Sequence, residues 1–370
     1  MAKLSRVREW LRESAAAAVV LTQAGPVAWL TGGLTNPIER GHPASPLWIV
    51  VRPDDETAIT TEVEAPRLLA EGDLEMPLVP VPWFEPGAFA NAVLEIVGAP
   101  ADAIASDGDA AFGIDASDDL ARLRLALVPD EQGRLRELAR DAAEALEQAL
   151  RTFRPGQLDT QIQARVADAL EQRAALAVCL IVGGDERIER YRHPLAAGVP
   201  VEHVVMAVVV AERGGLHAAA TRYASDGPLP EGVAEARRAA LAIEQQMLAA
   251  CGTGTTYGEV LDTCERAYAS AGHAGAWREH YQGGPIAYRQ REFEVAPGQG
   301  ESAFTRTRIA AGHALAWNPS VAGGGKAEDT YLVGLEGLTR ITDSGDWPLL
   351  GDGRPAAIDV RSGRSAEVAA

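Results

Sequence analysis

Ala316-Trp-Asn-Pro-Ser-Val-Ala-Gly-Gly-Gly-Lys-Ala-Glu-Asp-Thr330 is the stretch on which the fold of this chain turns. Asn318-Pro319 and the adjacent glycines Gly323 to Gly325 mark turns, which suit a late antiparallel sheet. The glycines beside a lysine are not a phosphate loop, because no Gly-Lys-Ser/Thr follows and no helix start is evident. Three segments upstream are comparably rich in polar side chains: Glu189-Arg-Tyr-Arg-His-Pro194, Gly214-Gly-Leu-His-Ala-Ala-Ala-Thr-Arg222, and His280-Tyr-Gln-Gly-Gly-Pro-Ile-Ala-Tyr-Arg-Gln-Arg-Glu292.

Around these segments the chain alternates short strands and helices. The N-terminal part predicts a helix over 4–14, strands over 18–22, 47–51 and 59–61, and helices over 62–69 and 88–97. Leucines at 135, 138, 146 and 150 with Ala142 put one apolar face on a long helix that stops before Pro155-Gly156. Asp159 or Thr160 is expected to cap the next helix. Cys179 to Val182 reads as a strand, and the unbroken apolar run Val204 to Val210 as a strand buried on both faces. Helices follow from about Val233 to Ala250 and from near Glu259. The expected fold class is α/β, with domains at 1–128 and 129–370.

With 370 residues, two domains are the first expectation. The 52 acidic residues outnumber the 34 basic ones, for a net charge of −18. That argues against a nucleic-acid partner, whose phosphates demand a basic face, and against docking on anionic membrane lipid. No segment is apolar enough to span a bilayer, and the charged start followed by a short apolar run does not read as a signal peptide. Cys179, Cys251 and Cys264 form no Cys-x-x-Cys, so neither a zinc cluster nor a disulfide framework is expected. These features suit a cytoplasmic protein.

The order and spacing of the four segments resemble the creatinase, aminopeptidase P and prolidase superfamily, with its pita-bread fold. Trp29-Leu-Thr-Gly-Gly33 with Arg40 looks like the end of a strand in that family's N-terminal domain. Arg136-Glu-Leu-Ala-Arg-Asp-Ala-Ala143 looks like the helix that opens its catalytic domain. The resemblance implies a creatinase-type N-terminal α/β domain, a C-terminal domain of curved antiparallel sheet flanked by helices, and a homodimer.

It also implies that most of the family's two-metal site is missing. The metallopeptidases hold two divalent ions with two Asp, one His and two Glu. By position the Asp pair falls on Val208 and Ala219, the metal His on Gly284 and the first Glu on Asn318. Glu328 alone is retained. One carboxylate cannot bridge two cations that each want roughly four to six donors, so no metal and no other cofactor is expected.

Losing metal need not mean losing catalysis in this fold, since creatinase hydrolyses a C–N bond without one. The resemblance puts His193 where creatinase has its proton-shuttling histidine, and a near-neutral imidazole suits that task. The expected catalytic residues are His193, Glu328 and His280. Arg222, Tyr288, Arg291, His217 and Asn318 are expected to bind substrate. The arginines favour a small anionic or amino-acid-derived molecule. One alternative is a non-catalytic pseudopeptidase that binds a ligand or partner. Another is a metal-dependent Xaa-Pro peptidase in which His217, His193, His280 and Glu328 substitute as ligands.

Overall fold

The computed structural model describes residues 2–35, 38, 40 and 42–367. The chain divides into two compact units, Met1–Arg124 with Gly214–Leu216, and Leu125–Arg213 with His217–Ala370. The architecture is the mixed α/β one read from the sequence.

In the first unit the run Ala18–Gln23 is the sheet's inner strand, with Ala18 to Leu21 fully buried. It pairs antiparallel with Ala44–Val51 and parallel with Ile104–Ser106. Glu56–Thr61, Leu78–Val81 and Ile114–Asp115 complete six strands. Val93 of the helix Ala88–Val97 joins Val20, Val50 and Ile59 in one apolar cluster. Two details differ from expectation. Trp29 does not end a strand; it lies fully buried in the helix Ala24–Thr31, which Gly32 closes at φ 78°. Pro26 is tolerated there because it sits in the first turn, whose N–H groups have no intrahelical partner. The helix expected over 62–69 runs instead over Ala65–Glu71, with Pro66 in its first turn.

The second unit opens with the helix Pro129–Arg151. Val128 N donates to Glu131 Oε2 at 2.8 Å, capping the start, and Leu135, Leu138, Ala142, Leu146 and Leu150 bury the predicted face. The helix Asp159–Glu171 follows. Asp159 is not its cap. Its carboxylate is fully buried and accepts from the backbone of Ala197, Gly198 and Val199 and from Arg187, fixing the loop after His193.

Five strands form the main sheet, in the order Arg364–Ser365, Ile358–Asp359, Leu216–Ser225, Val204–Arg213, Leu176–Gly184. Val204–Arg213 is buried from Val204 through Ala211, as its apolar run predicts, and pairs antiparallel with Leu176–Gly184. Leu216–Ser225 pairs parallel with Ile358–Asp359. A four-stranded antiparallel sheet holds Gly283–Pro285, Ala314–Trp317, Tyr331–Val333 and Leu338–Arg340. The helices Glu231–Ala250 and Tyr257–Ser270 share an apolar core with it through Ile243, Met247, Tyr257, Leu315 and Trp317. No helix among the described residues is long and apolar enough to cross a membrane.

Candidate functional site

Two histidines far apart in sequence meet in the second unit. His193 follows the short helix Glu186–Arg190. Pro194 is seated against Gly183, where a Cβ would lie 2.6 Å from the proline's own Cβ. A side chain at 183 would push the loop, and His193 with it, off the strand. His280 ends a short 3-10 turn, Ala276–Glu279. Its backbone is anchored by Gln282, whose Nε2 donates to Trp277 O and His280 O while Tyr268 donates to its Oε1. The two imidazoles face each other, Nε2 to Nε2, at 3.0 Å.

A third group completes the cluster. Lys326 Nζ lies 3.0 Å from the same His280 Nε2. Lys326 ends a hairpin of Ser320–Val321 and Gly325–Lys326. Gly325 is required there because a Cβ would stand 2.2 Å from Ala236 O of the neighbouring helix. The main chain therefore rests on that helix and delivers the lysine to the histidine.

His280 Nδ1 donates to Tyr281 O, so Nε2 carries the lone pair. That single lone pair is shared between the Lys326 ammonium and the facing His193 Nε2; a proton on His193 Nε2 avoids two opposed lone pairs and leaves Nδ1 as the basic nitrogen of His193. Burial, and then the charge on Lys326, push His280 down to about 2. Burial lowers Lys326 to about 8. His193 is also lowered, by partial desolvation and by Lys326, with Glu328 opposing. Both imidazoles are thus neutral at pH 7, beside one buried cation.

Glu328 is buried and accepts from Arg291 Nη2 at 2.8 Å. The family's metal pair does not fit this donor set. Val208 and Ala219 are buried apolar residues on the strands Val204–Arg213 and Leu216–Ser225, and Gly284 has no side chain. Asn318 Oδ1 is buried with no hydrogen-bond partner among the described residues. The remaining ligand-type groups face cations of the chain itself, Lys326 at His280 and Arg291 at Glu328. Among the described residues no three His, Cys, Asp or Glu side chains are grouped to hold a metal.

The other expected substrate contacts are spread among structural networks. Arg222 is fully buried, with Nε on Glu147 at 3.2 Å, Nη1 on Asp329 at 2.8 Å and Nη2 on Thr342 O at 2.7 Å. Its guanidinium is committed to these acceptors and does not grip a ligand. Tyr288 is likewise buried and donates to Glu131 Oε1 at 2.7 Å. His217 Nδ1 lies 3.2 Å from Ala287 O. Sequence reasoning missed Lys326, although it stands two residues before Glu328 in the segment that decides the fold.

Residues 133–343, more than half of the chain, match metallopeptidase family M24, and the chain belongs to that family. Solved structures of similar fold include the prolidase of Pyrococcus horikoshii OT3, at 17% identity and TM-score 0.73, covering 93% of this chain and 99% of that one. The dipeptidase PepE of Mycobacterium ulcerans is 18% identical with TM-score 0.73, covering 92% and 95%. The N-terminal domain of FACT complex subunit SPT16 from chickpea, Cicer arietinum, is 9% identical with TM-score 0.68, covering 98% of both chains. No curated protein matches the sequence.

Proposed function

We propose that this member of the M24 family is a metal-independent enzyme in which His193 acts as general base and then general acid on a small anionic or amino-acid-derived molecule. The observation that carries the reading is the contact of His193 with His280, backed by Lys326. A lowered pKa keeps His193 neutral and ready to take a proton on Nδ1. The proton comes from water or a substrate carbon and returns to the leaving group, as C–N hydrolysis or elimination requires. Arg291 neutralises Glu328, so the carboxylate orients its surroundings and does not grip a cationic substrate. Lys326, whose ammonium keeps hydrogen-bond capacity beyond His280, favours an anion.

The test is a turnover screen of C–N hydrolysis and elimination substrates, repeated with His193→Ala. Turnover should fall by about 10² to 10⁴-fold. A variant that turns over at the wild-type rate overturns the reading. The Arg291–Glu328 ion pair also supports a second reading, a non-catalytic protein that uses the cleft to bind. There a ligand would be recovered unchanged, and His193→Ala would alter affinity only.

A further inference from the structure

Beside the histidine pair lies a cavity of about 210 Å³ bounded by the hairpin, the helix Glu186–Arg190 and the residues that follow it. Its charged lining is Glu189, Arg190, Arg192, Glu279 and Lys326. Two of these cations have unmet demands. Lys326 is 2% exposed; Glu328 supports its charge from a distance, but among the described residues its ammonium has one hydrogen-bond partner, a neutral imidazole. Arg192 donates from Nη2 to Glu279, but its Nη1 is buried without a partner among the described residues.

A buried ammonium with unfilled donor positions is costly, and so is a buried guanidinium N–H with no acceptor. Both costs vanish if one anion spans the two. Glu279 on Arg192 and Glu186 on Arg190 already offset part of the lining's positive charge, so its open donors suit a monocarboxylate better than a dianionic phosphate. The cavity lies below the roughly 300–1,000 Å³ of drug-sized ligand sites. It suits a molecule the size of one amino acid better than a peptide.

We propose that Lys326 and Arg192 form a carboxylate subsite for an amino-acid-sized monocarboxylate, holding it next to the His193–His280 pair. The proposal rests on the anionic-ligand part of the reading above and names the residues that would recognise the anion. Neither residue was expected from the sequence to touch a ligand.

Calorimetric titration with N-acetylglycine, and with neutral N-acetylglycinamide as isostere, tests it without any turnover. The acid should bind at least tenfold more tightly than the amide. Lys326→Met should cost tenfold or more in affinity for the acid and leave the amide unchanged. Arg192→Gln, at a less buried position, should do the same severalfold and guards against a misfolded Lys326 variant. Equal binding of acid and amide, or undiminished acid binding in both folded variants, overturns the subsite. Wild-type turnover in His193→Ala with acid binding still lost in the Lys326 and Arg192 variants would sink the catalytic reading and leave the subsite standing, whereas undiminished acid binding in those variants with turnover lost in His193→Ala would do the reverse.

Discussion

Arg291 closes on Glu328 at 2.8 Å, so the one carboxylate retained from the family's metal site already has its counter-charge within the chain. A divalent ion binding there would have to displace a guanidinium and then find donors among Val208, Ala219 and Gly284, which have none to give. Protein expressed with supplemental Mn, Zn, Co and Fe should carry well under one ion per chain by elemental analysis. Two ions per chain would contradict this. Arg291→Ala should not restore stoichiometric binding, because Val208, Ala219 and Gly284 still offer no donor and Asn318 offers only a neutral amide oxygen.

Arg222 is expected to matter for stability, not for ligand affinity. Its side chain is 1% exposed, and its partners Glu147 and Asp329 are 4% and 6% exposed. Removing one partner of such a network leaves buried charge uncompensated, at a cost of about 3–5 kcal/mol. Denaturant unfolding of Arg222→Ala should show a loss of that order. An unchanged midpoint would mean that the network is not closed as described.

The buried imidazole at 280 should make the protein acid-sensitive. Its folded pKa lies near 2, far below the ordinary 6.5. The unfolded chain therefore binds a proton that the folded one refuses, and stability falls as pH drops below about 6.5. His280→Gln removes this linkage. Melting curves between pH 7 and pH 4 should decline less steeply for the variant, and parallel curves would count against the assignment.

Glu244 works in the opposite direction. It is 1% exposed on the helix Glu231–Ala250, its Oε1 has no partner among the described residues, and burial raises it to about 8. Between its unfolded pKa near 4.5 and 8 the folded state holds a proton that the unfolded state loses, so stability falls with rising pH. Glu244→Gln should melt higher than wild type at pH 8, with little difference at pH 4. Each kcal/mol regained is worth roughly 2–4 °C for chains of 150–250 residues, and less for one this long.

The parts of this structure legible in the sequence are those governed by local pattern. The leucine spacing from Leu135 to Leu150 specifies a helix face, and the apolar run from Val204 specifies an inner strand. Family position brought His193 and His280 forward together. Trp29 escaped because Ala24-Gly25-Pro26 reads as a break, whereas proline in a first turn interrupts nothing. Arg222 was misjudged because its acceptors lie at 147, 329 and 342, contacts that only the tertiary fold assembles. Lys326 was passed over because its glycine neighbours read as a turn, which they are. The turn's purpose, to lay the main chain on a helix, leaves no trace in composition.

That close approach at Gly325 has an inheritance of its own. The position of the Lys326 amine is set by a peptide group resting on Ala236 O, with no room for one more carbon. A relative could keep every acid, base and imidazole around Lys326 and still lose the contact between Lys326 and His280 through a single methyl group at 325. Conversely, a drifted set of polar residues on an intact glycine hairpin would keep the means of aiming whatever charge it carries. Tracing the lysine's placement through descendants therefore means following a residue that has no side chain.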